Sequence, residues 1–254
     1  MAPFQAVAMN VIALTVEYDG TRYHGFQVQS VGPTIQEEIE RALARLMGFP
    51  VRIVAAGRTD AGVHAIGQVV SFGAPRVMPV NVIQRALNAH LPRDIAVTDV
   101  TEKPPEFHAR FSAKRRKYRY TICNRTVRPV IGGQFVYHVP KHLEVAAMSE
   151  ACKYLVGEHD FASFAGTGSG DHPPSTVRTM IRSTCERDGD LVALEFEANA
   201  FLPQMVRNLV GTLLLVGTGR LRTDQVTDIL CRRDRRFAGQ TAPARGLCLT
   251  HVTY

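Results

Sequence analysis

The sequence has no apolar run near the roughly 18 residues that a membrane-crossing helix requires. Its longest candidate, residues 209–216, is interrupted by Gly211 and Thr212. Residues 1–8 carry no basic n-region, so a secretory signal is not indicated. They read as a loose tail, with Met1 and Met9 both candidate starts, and the cytoplasm is the expected location. Cysteine is scarce and unpatterned: Cys123, Cys152, Cys185, Cys231 and Cys248 are odd in number and no two are separated by only two residues. A disulfide framework and a cysteine zinc site are both disfavoured, and reduced, mostly buried thiols are expected. The 9 histidines include no H-E-x-x-H. Gly166, Gly168 and Gly170 alternate, but without G-x-G-x-x-G spacing or a Walker A lysine, so residues 166–170 read first as a surface loop and second as a phosphate cradle.

What is present is an ordinary globular mixture, 45% hydrophobic and 21% charged over 254 residues. That length supports one large domain or two smaller ones, with enough core to fold without staples. Periodicity gives a βαββαβ order written twice. In the first half, residues 11–18 alternate and are rich in β-branched side chains, which marks a strand. Residues 34–47 form a helix, opened by a Thr34–Glu37 capping box and striped by Ile35, Ile39, Leu43 and Leu46. Strands are expected at 51–56, 68–72 and 95–100, and a helix at 79–91.

The second half starts with a strand at 117–123. A helix at 143–156 buries Ala147, Ala151 and Leu155. Residues 177–186 and 191–198 form a hairpin through Asp188-Gly189-Asp190. A helix at 204–216 turns Met205, Leu209 and Leu213 inward, a short helix starts near Thr223, and a strand covers 247–254. The fold class is therefore α+β, two RRM-like or ferredoxin-like halves with largely antiparallel sheets. The boundary lies between Thr101 and Ser112, near the break at Lys103-Pro104-Pro105. The expected division is a tail at 1–8 and halves at 9–106 and 107–254.

The formal net charge is +7, and its distribution matters more than its size. Residues 110–128 hold eight basic side chains and no acidic one: Arg110, Lys114, Arg115, Arg116, Lys117, Arg119, Arg125 and Arg128. Along a strand, side chains alternate, so Tyr118 and Tyr120 share one face and Lys117 and Arg119 the other. Cations for phosphates beside a ring for stacking suit single-stranded or looped RNA. The plainer reading is a sheet strand with aromatic core residues, and for Tyr120 it is preferred. A second cluster, Arg232, Arg233, Arg235 and Arg236, is opposed in sequence only by Asp234 and reads equally well as a solvated face.

Residues 55–65 run from an apolar strand into a turn flanked by Gly57 and Gly62, which displays Arg58 and Asp60. A guanidinium two residues away favours the ionised form of Asp60, which then has the character of a nucleophile or base. An Asp that merely caps a turn fits the same pattern. His64 reads as structural. No second carboxylate stands at a spacing that suggests a two-metal nuclease or a glycosidase pair.

The stretch Gly57-Arg58-Thr59-Asp60-Ala61-Gly62-Val63-His64-Ala65 resembles the signature of the tRNA pseudouridine synthase A family. Further matches follow in family order over nearly the whole chain. They are Glu17-Tyr18-Asp19-Gly20-Thr21 with Gly25-Phe26-Gln27, then Thr34-Ile35-Gln36 and Lys117-Tyr118-Arg119-Tyr120. Gly157-Glu158-His159-Asp160-Phe161 comes next, then Phe201-Leu202 with Met205-Val206-Arg207-Asn208. Thr241-Ala242-Pro243-Ala244 with Gly246-Leu247 completes the series.

The resemblance implies that Asp60 is the catalytic nucleophile, that Arg207 pairs with it, and that Arg58 helps hold the target uridine out of its stack. It implies that Tyr118 stacks on the target uracil; Leu247 and, from the charge run, Arg110, Lys114, Arg115 and Arg116 are further candidates to meet substrate around a central basic cleft. It further implies uridine isomerisation at tRNA positions 38, 39 and 40 in the anticodon arm, without metal or organic cofactor, by a homodimer that does not engage membranes. The family's fit to residues 166–170 is loose, and residues 1–8 precede its usual start. Extruding a paired base before acting on it agrees with a cationic surface joined to an exposed ring. Two other readings stay open on the residues themselves: an RNA-binding module without chemistry, and a metal-dependent nuclease.

Overall fold

In the computed structural model, which describes residues 10–74, 78–166 and 175–254, the first helix begins where its cap dictates. Helix α1 spans Ile35–Met47, and the Thr34 hydroxyl accepts from the Glu37 backbone N–H at 3.3 Å. Gly48 closes it in the left-handed region. Ile35, Ile39, Ala42 and Leu43 are buried, whereas Leu46 is only half-buried. Each fully buried Ile or Leu contributes about 1.5–3 kcal/mol, so this face, not helix propensity, holds α1 in place.

Strand β1 is Asn10–Tyr18, β2 is Val54–Ala55, β3 is His64–Ala74, α2 is Val80–His90 and β4 is Ile95–Lys103. The expected strand at 51–56 shrinks to β2 for a specific reason. Val51 and Ile53 are buried, but the Ile53 N–H donates to the Glu40 carboxylate at 3.1 Å instead of to a neighbouring strand. The strand expected at 68–72 extends over His64–Ala74, and β3 is buried along most of both faces. β1 pairs antiparallel with both β3 and β4, and β2 pairs antiparallel with β3.

Strand β5 is Arg115–Cys123, β6 is Tyr137–His138, α3 is Val145–Lys153 and β7 is Gly157–Asp160. The hairpin is β8, Val177–Asp188, and β9, Leu191–Ala198. Helices α4, Met205–Gly217, and α5, Gln225–Arg232, precede β10, Leu247–Thr253. The order β10-β5-β9-β8-β7 is antiparallel throughout, and β6 joins β5 in parallel. The architecture is α+β with mostly antiparallel strands. The short β6 and β7 carry no periodicity signal and were not expected from the sequence. In α3 the buried residues are Met148, Ala151 and Cys152 in place of Ala147, with Leu155 buried just beyond the helix. Helix α4 buries Met205, Leu209 and Leu213 as expected, and Val206, Asn208, Val210, Gly211 and Thr212 as well, so it is enclosed on most sides.

The chain divides into two compact units, one ending at Ala113 but including Tyr254, the other Lys114–Thr253. The expectations for residues 1–8, and those for residues 167–170 of the glycine loop, lie outside the described residues. All five cysteines are free thiols; Cys123, Cys152 and Cys185 are buried, Cys248 is half-buried and Cys231 exposed. Burial pushes the Cys152 thiol up to about 11 and Cys185 to about 12, which leaves both unreactive. Among the described residues no helix is long and apolar enough to cross a membrane.

Candidate active site

Asp60 sits on the connection from β2 to β3, and that connection is held at nearly every residue. The Gly57 carbonyl accepts from the Gln68 side-chain amide at 2.8 Å. The hydroxyls of Thr59 and Tyr18 are hydrogen-bonded at 2.8 Å in the interior. The Phe26 N–H donates to the Thr59 carbonyl at 3.0 Å, and the Val63 N–H closes a turn onto the Asp60 carbonyl at 3.1 Å. Thr59 therefore points inward, which leaves Arg58 exposed and Asp60 half-buried on either side of it. Gly25 permits this arrangement: its φ is +96°, and a Cβ there would lie 2.9 Å from the Thr59 carbonyl oxygen. His64 is 4% exposed and its Nδ1 accepts from the Gly20 N–H at 3.0 Å, a structural role.

Within the second unit, Tyr118 lies on β5 opposite Leu249 of β10 and Phe196 of β9. Its ring is edge-on to Phe201 at 5.1 Å between centroids, and it is 8% exposed. Tyr120 is fully buried and donates to the Pro243 carbonyl at 2.8 Å, so it belongs to the core as preferred. Leu247 pairs across from Tyr120 and is buried. Arg207 stands in the first turn of α4, where its Nε donates to the Ala242 carbonyl at 2.7 Å while the Ala242 N–H donates back to the Arg207 carbonyl at 3.1 Å. The tyrosine strand and the arginine helix are thus both tied to the consecutive residues Ala242 and Pro243.

The cations separate into two groups. Lys117 and Arg119 face Glu195 of β9, at 2.9 and 2.6 Å, with Arg182 at 3.8 Å from the same carboxylate. Burial alone would raise the Glu195 carboxyl, but hydrogen bonds and charge from Lys117 and Arg119 outweigh it and hold the group below its usual range. Arg115 is 3.6 Å from Glu197, and Arg116 donates to the Asn199 carbonyl at 2.9 Å. The basic segment without acids in sequence is therefore partly neutralised in space by β9. Arg110 is exposed in the first unit, with its guanidinium 5.6 Å from the centre of the Phe111 ring. Lys114 is exposed and donates its backbone N–H to the Thr253 carbonyl at 2.8 Å.

The second basic cluster lies on the surface, where most of its cations have partners close in the fold. Arg233 pairs with Asp160 at 3.1 Å, Arg236 pairs with Asp234 at 2.6 Å, and Arg232 lies 4.2 Å from the centre of the Phe237 ring.

The residues that seat Asp60 are the ones sequence reasoning passed over. Tyr18, Gly25 and Phe26 appear in the motifs, but nothing in their spacing says that they form the bed of a loop 33 to 41 positions away.

A profile described as tRNA pseudouridine synthase matches residues 14–112 and 151–254 of this chain. The chain is 50% identical over 254 residues to tRNA pseudouridine synthase A of Chloroflexus aurantiacus, covering 97% of this chain and 89% of that protein. It is 45% identical over 248 residues to tRNA pseudouridine synthase A of Moorella thermoacetica, covering 97% of this chain and all of the relative. It is 42% identical over 246 residues to the protein of the same name from Thermoanaerobacter pseudethanolicus, again covering 97% of this chain. The profile match reaches both units and includes the loop of Asp60 and the helix of Arg207, while the strand of Tyr118 falls between its two matched stretches, and the chain belongs to the tRNA pseudouridine synthase family.

Proposed function

We propose that this protein isomerises uridine to pseudouridine at positions 38, 39 and 40 in the anticodon stem-loop of tRNA, with Asp60 as nucleophile and no cofactor. The observation that carries the reading is a carboxylate displayed on a turn whose neighbours on both sides are bonded into the fold, in a chain of this family. Attack by Asp60 releases the uracil; the N1–C1′ bond breaks, the base turns, and a C5–C1′ bond forms. C5 loses its proton, N1 gains one, and the aspartate is restored, so substrate and product are isomers and no electrons are exchanged. Arg207, with its Nε bound back to Ala242, has an oriented guanidinium suited to a carboxylate partner. Arg58 and Tyr118 hold the extruded uridine, and Arg110, Lys114, Arg115, Arg116 and Leu247 meet the surrounding RNA. In this reading a homodimer works on tRNA in the cytoplasm.

Position-resolved mapping of pseudouridine in tRNA, incubated with and without the protein, tests the reading directly. New pseudouridine is expected at 38, 39 and 40, and EDTA should leave its yield unchanged. RNA binding with no conversion would instead favour a binding module, and an EDTA-sensitive cleavage would favour a nuclease. Tyr118 gives a second measurement. Stacking survives in Tyr118→Phe and not in Tyr118→Ala, so the Phe variant should keep clearly more turnover; equal loss in both would assign the function to the hydroxyl.

A further inference from the structure

We infer that Asn208, Thr241 and Arg235 form a positioning device for Arg207, an inference that rests on the assignment of Arg207 to the active site. The Arg207 Nε donates to the carbonyl of Ala242 at 2.7 Å. Residues 238–243 have no strand or helix of their own, so the placement of that carbonyl depends on side-chain bonds to the segment in addition to the backbone bond from Ala242 to Arg207. Those bonds converge on the residue after Arg207. Asn208 is fully buried; its Nδ2 donates to the Phe164 carbonyl at 2.8 Å, and its Oδ1 accepts from Thr241 at 2.7 Å and from Arg235 at 3.0 Å. The same Arg235 nitrogen lies 3.1 Å from the Thr241 hydroxyl, and the other terminal nitrogen donates to Ala238. Thr212, one turn further along α4, accepts from the Gly239 N–H at 2.8 Å and donates to the Asn208 carbonyl at 2.9 Å.

The arrangement uses every polar atom of the Asn208 side chain, the amide nitrogen as donor and the amide oxygen as double acceptor. Its output is the backbone at Thr241, one peptide bond from the carbonyl that aims Arg207. None of these three side chains needs to touch RNA to act. A displacement of about 1 Å at a reacting group is enough to cost roughly a hundredfold in rate, so the network is a positioning element whose loss is read in turnover rather than in substrate affinity.

The experiment is a double-mutant cycle of Thr241→Val with Arg207→Ala, and Thr241→Ser as the conservative control. Thr241→Val removes the hydroxyl at nearly constant shape. It should lower kcat at least about tenfold, leave KM for tRNA close to that of the parent, and lower Tm by only about 2–4 °C. Thr241→Ser should restore kcat. In the Arg207→Ala background, Thr241→Val should cause no further loss of kcat. An equal loss in both backgrounds, or no rescue by Ser, overturns the inference. So does full activity of Thr241→Val beside an impaired Arg207→Ala, which leaves the assignment of Arg207 standing. Full activity of Arg207→Ala overturns both. If Thr241→Val does not fold, Arg235→Lys in the same cycle gives the same reading, because it keeps the charge and loses the fork.

Discussion

Asp60→Asn is expected to bind tRNA within a few fold of the parent while pseudouridine formation falls by at least about a thousandfold. The substitution keeps shape and removes the nucleophile, since a neutral amide oxygen does not attack as a carboxylate does. The loop should survive the change because the following bonds to it are independent of the Asp60 carboxylate. The Gly57 and Thr59 carbonyls are bonded from Gln68 and Phe26, the Thr59 hydroxyl is bonded to Tyr18, and the turn closes on the Asp60 backbone carbonyl. Parallel measurements of tRNA binding and of pseudouridine yield separate the two effects. A variant of full activity would sink the nucleophile assignment, and a variant that also fails to bind would show that the carboxylate holds the site together.

Gly211→Ala should destabilise the protein even though alanine is the better helix former. In an exposed helix interior the change gains about 0.8–1.0 kcal/mol. Here an added Cβ would lie 1.7 Å from the Gln240 carbonyl oxygen and 2.9 Å from its carbon. That oxygen belongs to backbone, and the flanking residues Gly239, Thr241 and Ala242 are all bonded to α4. Relief therefore requires moving the whole segment, and overpacking of this kind costs about 1–3 kcal/mol or more. The penalty exceeds the propensity gain, so the midpoint of urea unfolding should fall. Turnover should fall with it, because the displaced segment carries the acceptor of Arg207. An unchanged or higher midpoint would show that the segment yields easily.

Much of this was legible where a single local rule decides. Thr34 and Glu37 are three residues apart, and the cap formed as their spacing required. The hairpin turned between Asp188 and Leu191 because strand alternation and a Gly-Asp turn agree over a short span. Failures arose where a distant partner decides. Val51 and Ile53 alternate like a strand, but a carboxylate on α1 takes the Ile53 N–H and the pairing stops. Residues 110–128 contain no acid, yet Glu195 and Glu197 arrive beside them on a strand paired some seventy positions later. Asp60 was ambiguous on pattern and became prominent through family resemblance. The bed that holds it, Tyr18, Gly25 and Phe26, became legible only when contacts replaced spacing.

The Glu195 carboxylate is a built-in counterion. A polyanion approaching that face of β5 must compete with it for Lys117 and Arg119, and a carboxylate already within 2.6 Å of Arg119 is a strong competitor. Diffuse attraction to any nucleic acid is thereby reduced, because a phosphate that only brushes the surface does not repay the broken ion pair. Only a backbone that presents phosphates at matching positions offsets several such pairs at once. On the proposed reading, the carboxylates of β9 turn raw basicity into selectivity for shape.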